Sequence, residues 1–148
     1  MVILYLDTSA LAKLIVDEPE SDRVEAAFHA ADVCFTHPIA YVEAHSAIAR
    51  RRREPNGLTA DAAERARSVL HLLWRRLART PMDGYVLDQA VALIQRHPLR
   101  TYDALHLAAA MWVRCTAGAN RVRFACFDGR LRNAAISEGL RLVKDFPA

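Results

Sequence analysis

Short apolar runs of strand length alternate with longer segments of helical period, and this alternation restricts the fold more than any other feature of the chain. Residues 2–6 (VILYL) are apolar, β-branched at their start, and end in Asp7-Thr8-Ser9. Such a run reads as a buried strand, and a helix is expected to follow over residues 10–16. Pro19 breaks that helix, and a second is expected over 21–31. Residues 33–36 repeat the strand signal, closed by His37-Pro38. Helical spacing returns over 39–53, through Ile39, Val42, Ser46, Ile48 and Ala49. Glu54-Pro55-Asn56-Gly57 reads as a turn. Residues 59–79 read as one long amphipathic helix with Leu70, Leu73 and Leu77 on its dry side. Met82 falls in a short strand or connector. Helices are expected over 85–97, stopped by Pro98, and over 101–116, ended by Gly118. A strand follows over 123–127, a helix over 131–138 closed by Gly139, and a last strand over 140–143.

Strands that alternate with helices point to an α/β fold, a three-layer α/β/α sandwich around a mainly parallel sheet. The 148 residues are long enough for one domain with a real core, expected to span residues 1–148. The charge-free run 104–113 has half the length of a membrane span, so no membrane association is expected. No basic stretch precedes the N-terminal apolar run, so no secretory leader is expected either, and the expected compartment is the cytoplasm. Cys34, Cys115 and Cys126 have no metal-type spacing and read as small core residues in a reducing environment. Lys13 and Lys144 are the only lysines, and the other basic residues are arginines, whose forked guanidinium suits phosphate. Arginine-rich composition alone does not decide for nucleic acid.

Against this frame, Asp7, Glu43, Asp103 and Asp128 stand out. Each lies beside apolar sequence, where an unpaired carboxylate costs several kcal/mol. The other acids crowd around Pro19 or fall on polar helix faces. Asp7 and Asp128 follow predicted strands, and ligands of open parallel sheets bind outside the carboxyl ends of the strands. Each acid also has an ordinary explanation. Asp7 and Asp128 are good helix N-caps. Asp103 would favour the dipole of a helix capped by Thr101, and Glu43 could face solvent. Taken together, acids from separate segments suggest a shared cation. Oxygen-only ligands select Mg²⁺ or Mn²⁺ over zinc. Without such an ion the carboxylates repel, and one or more should have a raised pKa. A bound ion could activate water toward a phosphodiester. Asp7 and Asp103 are then expected as primary ligands, with Asp128 completing the site. Glu43 would hold a second ion or orient the water, and Thr8 or Ser9 would support a ligand by hydrogen bond.

The strings LYLDTSALAKL, IAYVEAHSAIAR, RTYDALHLAAA and FACFDGRL, followed by Gly139-Leu140, resemble the PIN domain, and within it the VapC-type toxins of prokaryotic toxin–antitoxin pairs. The resemblance runs over essentially the whole chain. It implies a Mg²⁺- or Mn²⁺-dependent endoribonuclease whose acids fall on Asp7, Glu43, Asp103 and Asp128. Some members carry a further acid after the fourth; here the stretch from Gly129 to Asn133 has none, leaving one or two ions open. The resemblance also implies a homodimer, an RNA substrate and a cognate antitoxin protein. A housekeeping RNA-processing nuclease and a non-catalytic binding module keep the same fold and remain alternatives. A phosphatase using an aspartyl nucleophile wants a second acid two residues after Asp7, where Ser9 stands. Arg50 lies two turns beyond Glu43 on the same helical face. It could contact RNA phosphate, or simply belong with Arg51, Arg52 and Arg53 as cations at a helix C-terminus. His106, three residues after Asp103 on the same helical face, could serve as a general acid but reads rather as a structural histidine packed in an apolar helix, and His45 reads the same way. Trp74 and Trp112 read as core or subunit interface.

Overall fold

The structure, a computed structural model, describes residues 1–144. In chain order its elements are β1 (Ile3–Leu6), α1 (Thr8–Ile15), α2 (Ser21–Ala30), β2 (Val33–Thr36), α3 (Ile39–Arg53), α4 (Ala60–Arg76), β3 (Ala78–Arg79), α5 (Gly84–Arg96), α6 (Thr101–Ala117), β4 (Val122–Ala125) and α7 (Gly129–Ser137). The strands form one sheet in the order β3-β2-β1-β4, and every pairing is parallel.

Alternation along the strands divides the core in two. Ile3 and Tyr5 of β1, with Val122 and Phe124 of β4, pack under α5, α6 and α7. Leu4 and Leu6, with Cys34 and Ala125, pack under α1, α2, α3 and α4. This is the expected three-layer sandwich. Both faces of β1 are buried, which is why its sequence is continuously apolar instead of alternating. α6 is buried on most sides, and its run Ala108-Ala109-Ala110 lets neighbouring elements approach closely.

Residues 59–79 do not form one helix. α4 stops at Arg76, and Leu77 turns extended with its side chain buried. Ala78 and Arg79 instead pair with Phe35 and Thr36, giving β2 a neighbour on its outer side. Arg79 folds back, its Nη1 donating to the carbonyls of Trp74 (2.6 Å) and Leu77 (2.9 Å), which satisfies the end of the helix. Leu77 therefore continues the apolar period of α4 while belonging to the connection into the sheet. Met82 lies outside any strand and is exposed. The expected last strand reduces to a single bridge between Leu142 and Phe124. Thr101 is not the cap of α6; that position is Arg100, with no side-chain cap bond. Cys34 and Cys126 are buried, but Cys115 is exposed in the last turns of α6 and is no core residue. Trp74 and Trp112 are partly buried against the two halves of the core.

The chain adds β2 and β3 on one side of β1 and then crosses to place β4 on the other. This reversal lies at the carboxyl ends of β1 and β4, where an α/β sheet opens a crevice.

Candidate active site

A cleft of about 1140 Å³ opens at that position, and Asp7, Glu43, Asp103 and Asp128 all line it. Asp7 follows β1 directly, and Asp128 lies three residues past the end of β4. The Asp7 amide continues the ladder by donating to Ala125 O (3.1 Å). Its side chain caps α1, with Oδ1 accepting from Ala10 N (2.9 Å) and Ser9 Oγ (2.7 Å). Ser9 Oγ in turn accepts from Phe127 N (3.0 Å), tying the end of β1 to the loop after β4. Asp128 caps α7 in the same manner, its Oδ1 accepting from Leu131 N (2.9 Å). The cap and cleft roles thus coexist on the same residues: one carboxylate oxygen serves the helix end in each case.

Glu43 reaches the cleft from the middle of α3 and Asp103 from the first turn of α6. Glu43 Oε1 accepts from Thr8 Oγ1 (2.7 Å) and lies 2.8 Å from His106 Nε2. Asp103 Oδ2 accepts from Arg100 Nε (3.3 Å), and Arg100 Nη2 lies 3.8 Å from Asp128 Oδ2. Thr8 and Ser9 therefore each hold one of the acids. Arg50 also lines the cleft, whereas Arg51 pairs with Glu18 and Arg52 reaches Leu58 O (3.4 Å). The arginine run divides, with only its first member at the site among the described residues.

The electrostatics differ from acid to acid. Burial pushes the Asp7 carboxyl above its ordinary range, against the lowering effects of His106 and of hydrogen bonds from Ala10, Ser9 and Cys126. Asp103 is also raised, by burial first and by Asp128, against the pull of Arg100. Burial acts upward on Glu43 too, but the hydrogen bonds from His106 and Thr8 bring it below its ordinary value. Burial, then Asp7 and Glu43, push the Tyr5 phenol well above its ordinary value, so it keeps its proton.

Two neighbours of the acids carried only a weak sign in sequence, their helical spacing of three residues from Asp103. Arg100 sits at a helix boundary, where a basic residue is unremarkable; its position three residues before Asp103 was the available sign. His106 is buried, as a structural histidine would be, yet it also bonds an acid of the cleft. His45 stacks edge-on against Tyr41 (4.7 Å between centroids).

His37, buried behind this network, titrates far from its ordinary range. Its Nδ1 accepts from Ile39 N (3.1 Å), and Nε2 has no hydrogen-bond partner among the described residues. Burial, with His106 adding to it, lowers its pKa from 6.5 to about 4. The unfolded chain therefore binds the proton more readily than the folded one, and stability falls as pH drops from about 6.5 toward 4. His37→Asn keeps an acceptor for the Ile39 amide and removes the titration. Urea unfolding at pH 7 and pH 4.5 should show the parent chain losing ~2–3 kcal/mol more than this variant. Equal losses would mean that His37 does not titrate in this window.

The donor set, four carboxylates and hydroxyls, fits a hard divalent cation. Among the described residues no three His, Cys, Asp or Glu side chains converge closely enough to form a metal centre, and Arg100 lies against Asp103 and Asp128.

A PIN domain family model matches residues 4–136. Ribonuclease VapC46 of Mycobacterium tuberculosis is 34% identical over 143 residues, covering 97% of this chain and 98% of its own. Among solved structures, VapBC2 from Rickettsia felis, bound to a promoter DNA fragment, superposes with a TM-score of 0.65 at 13% identity, over 96% of this chain and 98% of that one. Mycobacterium tuberculosis VapC20, described as a sarcin-ricin loop cleaving toxin, does so with a TM-score of 0.63 at 20% identity, over 88% and 94%. At these identities the structural likeness speaks for the fold.

Proposed function

Because this chain belongs to the PIN domain family, we propose that it is a metal-dependent endoribonuclease and the toxin of a VapBC-type toxin–antitoxin pair. One observation carries the catalytic reading: Asp7, Glu43, Asp103 and Asp128, from four separate segments, line one cleft at the switch point of the sheet. Asp7 and Asp103 are the proposed primary ligands of Mg²⁺ or Mn²⁺, with Asp128 completing the site and Glu43 serving a second ion or the attacking water. When bound, such an ion stabilises charge on the phosphodiester and lowers the pKa of water. The chain supplies the rest. Thr8 and Ser9 fix two of the acids, and Arg50 and Arg100 offer guanidinium forks for phosphate at the rim.

The partner assignments belong to the same proposal. The relatives are named ribonucleases, and one solved neighbour is a VapBC pair, which supports RNA as substrate and a cognate antitoxin as inhibitor. Leu87, Val91 and Ile94 form an exposed apolar stripe on α5 that would suit a homodimer. No helix of the described residues is long and apolar enough to cross a membrane, and a cytoplasmic site of action is proposed.

The test is incubation of the purified, antitoxin-free chain with total cellular RNA and Mg²⁺, Mn²⁺ or EDTA. Defined fragments that require the cation are expected. Cutting that survives EDTA would remove the metal from the mechanism. No cutting by folded chain with any added cation would favour the binding-module alternative.

A further inference from the structure

Glu43 is held by a chain of side chains that runs back into the core. His106, on α6, places Nε2 2.8 Å from Glu43 Oε1 and 3.1 Å from Thr8 Oγ1. Its other nitrogen, Nδ1, is 2.9 Å from the Tyr5 hydroxyl. Tyr5 is fully buried in the middle of β1, and His106 is nearly so. An ionised carboxylate only accepts, so the 2.8 Å contact requires a proton on Nε2. In the neutral ring Nδ1 is then an acceptor, and the Tyr5 O–H must donate to it. The His37 backbone acts on the same hydroxyl, opposing the upward push of burial on its pKa. The two hydrogens in this chain thus have one consistent direction: Tyr5 O–H to His106, and His106 Nε2–H to Glu43.

We propose that Tyr5 and His106 are positioning residues for Glu43: the buried hydroxyl fixes the tautomer that holds Oε1, and this leaves the second carboxylate oxygen for the cleft. Thr8 Oγ1 donates to the same Oε1 at 2.7 Å, so two donors from different elements define the side chain's orientation. The arrangement has the logic of an outer-shell partner that orients a ligating or water-holding group. It deepens the nuclease reading and rests on it only for the kinetic part of its test.

The experiment uses the full chain in four forms: parent, Tyr5→Phe, His106→Phe and His106→Gln. Long-range proton–nitrogen NMR correlations report the ring tautomer, and paramagnetic resonance reports Mn²⁺ affinity, both independent of cleavage. The parent should show His106 protonated at Nε2 only. His106→Phe should weaken Mn²⁺ binding or lower kcat roughly 10- to 100-fold, the usual loss for an outer-shell partner, with KM for RNA little changed. His106→Gln keeps a donor and should recover most of that loss. Tyr5→Phe should produce mixed tautomers and an intermediate defect. An Nδ1–H tautomer in the parent, or a ring protonated on both nitrogens, overturns the role given to Tyr5. Unchanged Mn²⁺ affinity and kcat in folded His106→Phe overturn the role given to His106. If the parent does not cut RNA at all, the nuclease reading fails by itself. The tautomer and the Mn²⁺ affinities then still decide this proposal.

Discussion

Asp7→Asn should abolish RNA cleavage while leaving the fold intact, and it should not destabilise the protein. The substitution is nearly isosteric, and Asn caps helices about as well as Asp. Its side-chain oxygen can accept from Ala10 N and Ser9 Oγ as Asp7 does. What disappears is a charge that burial already disfavours, since the carboxyl is pushed above its ordinary range. The ionised form therefore carries an energetic cost in the folded state above its unfolded pKa, and removing it is expected to be neutral or mildly stabilising at pH 7. Activity should respond oppositely. Loss of an outer-shell partner typically costs about 10–100-fold, so loss of a proposed primary ligand should cost roughly 100-fold or more. Asp103→Asn should behave similarly. Asp88→Asn, on the exposed face of α5, should cut at the parent rate. The measurements are cleavage of a defined RNA with Mn²⁺ and urea unfolding of each variant. An Asp7→Asn protein that retains more than about a tenth of the parent rate would remove Asp7 from the machinery. One that loses activity together with stability would show that the carboxylate itself is structural instead.

That opposition between stability and activity explains how far the site could be read from sequence. Asp7 and Asp128 announced themselves because a carboxylate directly after an apolar strand is costly and topologically constrained. Glu43 and Asp103 stood out by their apolar neighbours. All of these are local signals, and the fold then places the four around one cleft. The Tyr5–His106–Glu43 chain gave no such signal. Tyr5 and His106 are 101 residues apart, and His106 and Glu43 are 63 apart. Each looks locally like an ordinary member of its strand or helix, and periodicity reports which face is buried, not which distant polar atom waits there. β3 was hidden for a related reason. Leu77 obeys the period of α4, but the unpaired edge of β2 and the Arg79 cap of the helix end together favour leaving the helix at Arg76. A tertiary interaction overrode a clean local pattern.

Phe124→Ala should be the most destabilising of the substitutions considered, and it should reach the site from underneath. Phe124 is in β4, 1% exposed, and pairs in register with Tyr5, with the two ring centroids 5.6 Å apart. Its backbone also holds the C-terminal bridge, donating to Arg141 O (2.8 Å) and accepting from Val143 N (3.0 Å). Those bonds survive the substitution, so the loss falls on packing. Truncating a buried Phe to Ala leaves a cavity and costs ~3–5 kcal/mol, a large part of the roughly 5–15 kcal/mol that separates most domains from unfolding. The cavity opens beside Tyr5, whose hydroxyl orients His106 and through it Glu43. A Tyr5 ring free to tilt into that space would loosen the donor on Oε1. Cleavage per folded molecule should therefore fall as well, whereas Leu70→Ala, buried in the opposite half of the core, should lower stability without this second effect. Urea unfolding gives the first quantity, and cleavage rates corrected for folded fraction give the second. If both variants keep parent activity per folded molecule, the core beneath Tyr5 does not control the geometry of Glu43.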